Sequence, residues 1–367
     1  MTLRIGFLGY RFMGKAHANA LGRLPMFFPD GPDASRAVLI GRDETALSTA
    51  ASRLGFDATT TDWKAALDEI DVLYNLAPNH LHPEPSITAL ERDVHVLCEK
   101  PLAPELEAAE RMAETAADSA AIAGIAFNYR FLPAIRYAKS LIERGELGEI
   151  RQFSGRYLQD WLVDPDAPWS WRLDDDLAGS GALGDLGAHT IDLARYLVGD
   201  IERVSGQLQT FVDERPTEDG STTRAVTVDD AFTGQLAFEN GALGTIDGSR
   251  VAPGHKNDQT IRINGTRGSL SFSLERPNEL AVRGPDQRGY ETRLVTEQSD
   301  PFVDHWWPPG HVLGWEHAIV HENYEFLSAI DDGTAYQPDF QQGLAVQRVL
   351  DALARSDRSQ TWIAIDR

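Results

Sequence analysis

Several residue types and patterns are scarce in this chain of 367 residues, and each scarcity excludes a class of protein. The single cysteine, Cys98, excludes an intramolecular disulfide and a metal cage built from cysteines. No segment reaches the roughly 18 consecutive apolar residues that a membrane helix needs. The N-terminus lacks a basic stretch followed by a cleavable apolar segment, so no signal peptide is expected. These absences predict a cytoplasmic protein that makes no contact with a membrane.

Lysine is also scarce, with five residues among the 34 basic ones, and 56 acidic side chains leave a net charge of −22. Because binding to a phosphate backbone needs clustered Lys and Arg, a pI near 4.8 argues against a nucleic-acid partner. Many carboxylates with few lysines are typical of a halophilic protein from a salt-rich cytoplasm, where ions screen the self-repulsion of the surface. The alternative is an acidic enzyme from an arginine-rich genome.

In the first third of the chain, short apolar segments alternate with helical patterns. The predicted strands are residues 4–8, 37–40, 71–76, 95–98 and 121–127. This alternation predicts an α/β fold, a doubly wound parallel Rossmann sheet that forms a dinucleotide-binding domain over residues 1–127. In that architecture the ligand lies at the carboxyl ends of the strands, so the loops that follow the strands matter most.

From about residue 146 the pattern changes to longer strands in which apolar and polar residues alternate. The predicted strands are residues 150–157, 202–212, 231–238, 241–249, 259–264 and 269–274, one helix is predicted over 183–198, and residues 213–219 are expected to be irregular. Residues 128–367 are therefore predicted to form an α+β domain on a large, mainly antiparallel sheet that binds substrate and supports oligomers. The prediction leaves open whether the C-terminal helix packs back on the first domain. An open sheet face favours a homodimer or homotetramer.

A glycine turn follows the first predicted strand. The dinucleotide fingerprint Gly-x-Gly-x-x-Gly permits a tight turn and lets a pyrophosphate approach backbone N–H groups. Gly9 and Gly14 occupy its first and third glycine positions, and Arg11 replaces the second glycine. We expect Gly9 to shape the turn and Arg11 to add a cation beside the phosphates. The alternative is a turn that only links the strand to the helix.

The second predicted strand ends without the acidic residue that binds the ribose diol of NAD. Gly41 and Arg42 occupy that place, and Asp43 comes one residue too late for the usual geometry. No carboxylate there repels a 2′-phosphate, and the Arg42 guanidinium can bind it bidentately. The sequence therefore favours NADP over NAD, with a solvated surface charge as the alternative interpretation of Arg42.

Two further motifs contain candidate catalytic side chains. Glu99-Lys100-Pro101 follows the fourth predicted strand, where an ammonium can bind a substrate hydroxyl and stabilise a developing alkoxide. In the predicted helix over 183–198, Asp185 and His189 are four residues apart and project from one face. A histidine has a suitable pKa for accepting a hydroxyl proton, and a nearby carboxylate can orient it. The alternative for His189 is a histidine that is satisfied within the core.

Taken together, the motifs resemble the Gfo/Idh/MocA family of oxidoreductases. They are the turn Gly6-Phe-Leu-Gly9-Tyr-Arg-Phe-Met-Gly14, the segments Ala77-Pro-Asn-His-Leu-His82 and Cys98-Glu-Lys-Pro101, the segment Phe127-Asn-Tyr-Arg-Phe131, and the helix with Gly181, Asp185, His189 and Asp192. The resemblance covers essentially the whole chain, and Arg11 departs from the family's usual glycine. Within the family, the segments 157–161, 170–172, 254–256 and 275–280 resemble the branch that contains levoglucosan dehydrogenase, with the inositol dehydrogenases more distant.

The resemblance implies an NAD(P)-dependent dehydrogenase or reductase that moves a hydride between nicotinamide and a secondary alcohol or ketone of a cyclic sugar, anhydrosugar or polyol. It implies that Lys100, Asp185 and His189 form the catalytic group, and we expect these three to bind the substrate. Tyr157 and Lys256 are further candidate sugar contacts. The resemblance also implies that Asn79, His82, Glu99, Asn128, Trp171 and Arg172 line the cofactor cleft. With the residues of the turn and loops added, the predicted contacts of the cofactor, NADP or NAD, are Gly9, Arg11, Phe12, Met13, Arg42, Pro78, Asn79, His82, Glu99, Lys100, Asn128, Trp171 and Arg172.

Two other functions remain open at this point. The family also includes NAD-dependent glycosidases, which use the same hydride step transiently. A sensor that binds a dinucleotide without catalysis is the other alternative, although binding alone does not need Lys100, Asp185 and His189 together. His317 and His321 have the spacing of a metal pair, but no third ligand accompanies them, so no metal site is predicted.

Overall fold

The computed structural model describes residues 2–366, which fold into two compact units. Unit 1 comprises the chain up to Phe131 together with Gly314–Ala345. Unit 2 comprises Leu132–Leu313 and the chain from Val346 onward. The predicted boundary at residue 127 lies close to the first crossing, and the return of the chain into unit 1 falls inside the segment that was expected to form the second domain.

Unit 1 is built on a parallel sheet. Its strands are β1 (Leu3–Leu8), β2 (Ala34–Ile40), β3 (Ala58–Thr60), β4 (Val72–Asn75), β5 (His95–Cys98) and β6 (Ala123–Ile125). They lie in the order β3-β2-β1-β4-β5-β6, and every neighbouring pair is parallel. Because the strand order reverses between β1 and β4, the loops after these two strands diverge and open a crevice at the carboxyl edge.

Helices occur in both units, and the first five connect the strands of unit 1. They are α1 (Phe12–Phe27), α2 (Glu44–Leu54), α3 (Trp63–Ala66), α4 (Pro83–Leu90), α5 (Leu106–Asp118), α6 (Pro133–Glu143), α7 (Asp175–Ala178), α8 (Ala188–Leu197), α9 (Trp315–Asp332) and α10 (Phe340–Ser359). Local chemistry explains several starts: Asp43 and Asp62 cap α2 and α3 with side-chain oxygens, and proline occupies the first turn of α4 and α6.

Unit 2 is built on a nine-stranded sheet and a small hairpin. Its strands are β7 (Ile150–Leu158), β8 (Ile201–Gln209), β9 (Glu214–Pro216), β10 (Thr223–Ala225), β11 (Ala231–Phe238), β12 (Leu243–Ser249), β13 (Asp258–Gly265), β14 (Ser269–Ser273), β15 (Glu279–Arg283), β16 (Glu291–Leu294) and β17 (Ile363–Ala364). The large sheet has the order β16-β15-β14-β13-β7-β12-β11-β8-β17. All of its pairs are antiparallel except β7 with β12.

The predicted fold class is confirmed, and several local predictions are corrected. Residues 213–219 were expected to be irregular, but β9 lies there and pairs with β10. The predicted helix over 183–198 begins as a π-helical turn, Leu183–Gly187, before it continues as α8. Strand β3 and the edge strands β15 and β16 were not predicted, because each is short. Helix α6 was also not predicted, although its buried residues Ile135, Ala138 and Leu141 have helical spacing. Within residues 2–366, no helix combines the length and apolar character needed to cross a membrane.

Candidate functional site

The turn between β1 and α1 is built around two glycines that a side chain cannot replace without moving the backbone. Gly9 has a φ of +112°, and a Cβ at this position would lie 2.6 Å from the Leu76 carbonyl oxygen. A Cβ on Gly14 would lie 2.6 Å from the Gly9 carbonyl oxygen. The spacing found in the sequence therefore reflects close approaches of backbone to backbone at this turn.

The start of α1 fits an anion. Among the described residues, no side chain caps this helix, and its first turn contains no acidic residue. The first N–H groups of a helix have no intrahelical partner and carry the positive end of the helix dipole. Arg11 is exposed, Met13 is half-buried, and Phe12 is 65% exposed with its ring stacked on Trp315 at 5.5 Å between centroids. This turn has the donors and the charge that a pyrophosphate needs.

The end of β2 presents an aromatic ring and a guanidinium in place of a carboxylate. A Cβ on Gly41 would lie 2.6 Å from Cε1 of Tyr10. Arg42 is exposed and has no ion-pair partner within residues 2–366. The carboxylate of Asp43 serves α2, because its Oδ1 accepts a hydrogen bond from the N–H of Ala46 at 2.9 Å.

His82 joins the loops that follow β4 and β5. The side chain is fully buried, with Nδ1 2.8 Å from the Pro101 carbonyl oxygen and Nε2 3.0 Å from the Ala77 carbonyl oxygen. Burial lowers the pKa of His82, and the two carbonyl oxygens oppose that shift. Pro78 and Asn79 lie half-buried in the loop that this ring holds. His82 therefore shapes the crevice through the backbone, and its contact with a cofactor stays a prediction.

The Glu99-Lys100-Pro101 segment after β5 is supported by a chain of buried polar groups. Oε2 of Glu99 accepts a hydrogen bond from the N–H of Lys100 at 3.2 Å. Its Oε1 lies 3.5 Å from Nε2 of His17, whose Nδ1 lies 3.0 Å from Oδ1 of Asn323. Sequence reasoning missed His17 and Asn323, both fully buried. The signal for His17 was its place three residues after Gly14, on the inner face of α1. The Lys100 side chain itself is half-buried.

In unit 2, Asp229 holds the start of the segment that carries Asp185 and His189. Oδ1 of Asp229 accepts a hydrogen bond from the Gly181 N–H at 2.7 Å, and Oδ2 accepts one from the Leu183 N–H at 2.8 Å. Its carbonyl oxygen accepts a hydrogen bond from Nη2 of Arg250 at 2.9 Å. Burial raises the pKa of Asp229, while Arg250 and the two N–H groups oppose that shift. No local sequence pattern indicated this clamp, in which the Asp229 carboxylate binds the N–H groups of Gly181 and Leu183.

His189 and Tyr157 lie close together in unit 2, and their shared role in substrate binding stays a prediction. His189 is 7% exposed, and its ring lies 6.2 Å from the Tyr157 ring between centroids. Asp185 is half-buried in the π-helical turn, a feature that occurs frequently at functional sites. The Tyr157 hydroxyl donates a hydrogen bond to Oδ1 of Asn257 at 2.6 Å, and Nε2 of Gln159 donates to the same oxygen at 2.9 Å. These two amides were not predicted.

The remaining predicted cofactor residues lie in short turns. Asn128 is buried in the 3₁₀ turn Asn128–Phe131 of unit 1. In unit 2, the Arg172 guanidinium lies 4.5 Å from the centroid of the Trp171 ring. The Arg172 carbonyl oxygen accepts a hydrogen bond from Nη1 of Arg250 at 3.3 Å, so the arginine that supports Asp229 also supports this turn.

The two histidines of α9 bind backbone groups. Nδ1 of His317 accepts a hydrogen bond from the Gly314 N–H at 3.0 Å, and Nδ1 of His321 lies 2.9 Å from the Phe131 carbonyl oxygen. Residues 2–366 contain no group of three His, Cys, Asp or Glu side chains that could hold a metal ion.

Known proteins resemble this chain over both units. A profile of an oxidoreductase family with an NAD-binding Rossmann fold matches residues 3–127, and a profile of the Gfo/Idh/MocA C-terminal domain matches residues 135–271. A levoglucosan dehydrogenase of Pseudarthrobacter phenanthrenivorans is 39% identical over 99% of this chain and 98% of its own. A D-xylose 1-dehydrogenase (NADP(+)) of Haloferax volcanii is 27% identical over 90% of this chain and 92% of its own. The structure of a levoglucosan dehydrogenase in complex with NADH and levoglucosan covers 100% of both chains at 39% identity, with a TM-score of 0.97.

Proposed function

We propose, because this chain belongs to the Gfo/Idh/MocA family of oxidoreductases, that it is an NAD(P)-dependent dehydrogenase of a cyclic sugar, anhydrosugar or polyol. It would oxidise a secondary alcohol or run the reverse reduction. The observation that carries the proposal is the uncapped glycine turn of a parallel sheet whose same edge bears Lys100. The relatives named for levoglucosan and D-xylose support a sugar as the substrate class.

NAD(P) fits the residues of unit 1. The glycine turn and the first N–H groups of α1 would hold its pyrophosphate, with Arg11 as an added cation. The loops that carry Asn79 and Glu99-Lys100 lie at the carboxyl edge of β4 and β5, where the nicotinamide half of a dinucleotide binds in this fold. When bound, the cofactor supplies the acceptor for the hydride of the substrate's carbinol carbon.

The chain's own residues handle the proton and the oxygen. His189 accepts the proton of the reacting hydroxyl, and Asp185 orients the imidazole. The Lys100 ammonium stabilises the negative charge that develops on the oxygen during the transfer. The Tyr157 hydroxyl and the neighbouring amides of Asn257 and Gln159 provide polar groups for other hydroxyls of the sugar.

We propose NADP as the preferred form of the cofactor. Gly41 contributes no carboxylate to the end of β2, and the exposed Arg42 guanidinium suits a 2′-phosphate. Among the relatives, one is named for NADP and another is described with NADH, so their names support NAD(P) without choosing between the two.

We also propose a cytoplasmic homodimer or homotetramer with a surface adapted to salt. Alternate residues of β7 and β12 are exposed, and Leu243 at the start of β12 is 65% exposed, which suits self-association through this sheet. The net charge of −22 supports adaptation to salt, because a salt-rich medium screens the repulsion among carboxylates.

The test is a panel of cyclic sugars, anhydrosugars and polyols, assayed with NADP and NAD for accumulation of reduced cofactor. Lys100→Ala and His189→Ala should each lower kcat by about 10²–10⁴-fold. The matched control is Lys64→Ala, since Lys64 pairs with Glu84 at 2.9 Å on the surface and should be dispensable. Circular dichroism and cofactor titration show whether each variant is folded. Full activity in both catalytic variants refutes the assignment, and sugar release without net reduction of cofactor points to a glycosidase instead.

A further inference from the structure

The ring of Tyr10, in the glycine turn, packs directly against Gly41 at the end of β2. A Cβ on Gly41 would lie 2.6 Å from Cε1 and 3.2 Å from Cδ1 of this ring. It would also lie 3.1 Å from Cδ1 of Leu47, a residue of α2 that is 1% exposed. Any side chain at position 41 must therefore displace the tyrosine ring or a core residue.

Hydrogen bonds to neighbouring strands hold the backbone beside Tyr10 and Gly41. The Gly9 N–H donates a hydrogen bond to the Ile40 carbonyl oxygen at 3.1 Å, and the Gly41 N–H donates one to the Thr60 carbonyl oxygen at 3.2 Å. The half-buried Tyr10 ring can thus leave Gly41 only by rotating its side chain, which exposes more aromatic surface to water. A side chain at position 41 therefore fits only if the side chain at position 10 also changes, because neither backbone segment can easily move away.

We infer that Tyr10 is a specificity-determining residue, which excludes a carboxylate from position 41 and so denies the ribose diol of NAD its usual acceptor. This inference rests on the proposed NADP-dependent function and names the residues behind its cofactor preference. An acid at the end of the second strand normally binds the diol. Asp43 does not replace it, since its carboxylate caps α2. With the exposed Arg42 next to Gly41 in the chain, the site favours a 2′-phosphate dianion over a diol.

The test measures binding of NADPH and NADH alone to the full chain by fluorescence titration, so that no sugar substrate has to be known. Gly41→Ala adds a Cβ without charge, and we expect it to weaken NADPH binding by about 10-fold because the turn is overpacked. Tyr10→Gly in the same chain should restore binding to within about 3-fold of the wild type. Gly289→Ala adds the same methyl group at an exposed position with no described heavy atom within 4 Å, so it is the matched control and should bind as the wild type does.

A charged substitution then tests specificity. Tyr10→Gly combined with Gly41→Asp should shift the ratio of the NADPH and NADH dissociation constants toward NADH by about 100-fold. The new carboxylate accepts hydrogen bonds from the ribose diol of NADH and repels the 2′-phosphate of NADPH. Gly41→Asp alone should shift it by less than about 10-fold, because the tyrosine ring still occupies the space that the carboxylate needs.

The outcomes separate the inference from the proposed function. A wild type that binds NADH more tightly than NADPH overturns the proposed preference and the inference together. If the wild type prefers NADPH but Gly41→Ala binds both cofactors normally, or Gly41→Asp alone shifts the ratio as far as the double variant, only the role of Tyr10 is overturned. Should Gly41→Ala fail to fold, recovery of folding in Tyr10→Gly/Gly41→Ala supports the interlock, and failure of that double variant to fold overturns it.

Discussion

A methyl group added at Gly181 should break hydrogen bonds to Asp229 that hold the start of the segment carrying Asp185. A Cβ on Gly181 would lie 1.8 Å from the Asp229 carbonyl oxygen and 2.7 Å from Nη2 of Arg250. No carbon and oxygen that are not bonded tolerate such a distance, so either the Asp229 backbone or the start of the π-helical turn has to move. Either movement breaks hydrogen bonds that meet at Asp229.

The structure gives the size of this effect. Asp229 accepts hydrogen bonds from the N–H groups of Gly181, Ala182 and Leu183 at 2.7, 3.0 and 2.8 Å, and from Arg250 at 2.9 Å. A hydrogen bond that involves a charged group contributes about 1.5–3 kcal/mol, and relieving the clash breaks at least two of them, so Gly181→Ala should lower the free energy of unfolding by about 3–6 kcal/mol. For a unit of this size that corresponds to a fall in Tm of roughly 10–20 °C.

The assay compares thermal and urea unfolding of Gly181→Ala with those of Gly289→Ala. No described heavy atom lies within 4 Å of a Cβ added to the exposed Gly289, so this control should stay within about 0.5 kcal/mol of the wild type. In kinetics, kcat should fall, because Asp229 holds the start of the segment that carries Asp185 and His189. A Gly181→Ala protein with the Tm and kcat of the wild type would refute the reasoning, since the Asp229 backbone would then yield at no cost.

Three further predictions concern protonation, substrate binding and salt. Nδ1 of His95 accepts the Ile122 N–H at 2.9 Å and burial lowers the pKa of His95 from 6.5, so its contribution to stability is present above about pH 6.5 and is lost as the pH falls. His95→Asn keeps an acceptor that does not titrate and should flatten the acid-side fall of Tm; an unchanged pH profile contradicts this. Tyr157→Phe should raise the KM for the sugar by about 10-fold with a smaller change in kcat, and an unchanged KM removes Tyr157 from the substrate site. Tm should rise from low to multimolar KCl, whereas indifference to salt favours an acidic protein without salt adaptation.

The parallel sheet of unit 1 could be predicted because its signals are local. Strands β1, β2 and β5 end in short apolar segments, such as that of β1 with Phe7 fully buried, and a glycine or polar residue follows each directly, whereas the apolar part of β4 ends at Asn75 within the strand. The loops after β1, β2, β4 and β5 are therefore found at the ends of apolar runs. Gly9, Arg42 and Lys100 lie in these loops as expected.

In unit 2 the sequence indicated which residues alternate between faces, but it could not indicate which strands are neighbours. The parallel pair of β7 with β12 inside an otherwise antiparallel sheet depends on long-range contacts that leave no local pattern. The same limit applies to the helix with Asp185 and His189. The predicted α-helical spacing gives way to a π-helical turn whose start is held by Asp229, a residue 46 positions from Leu183.

The residues that sequence motifs identify depend on partners that no motif contains. Glu99 is backed by His17, and the start of the Asp185 segment is backed by Asp229. At Gly41 the consequence is sharpest, because the sequence shows only that an acid is missing, whereas the structure shows that a side chain there would have to displace the Tyr10 ring or Leu47. When a neighbour in space limits which side chains fit at a position, a substitution there needs a matching substitution of that neighbour. Cofactor preference in this protein should therefore respond to paired substitutions in the glycine turn and at the end of β2, and only weakly to either one.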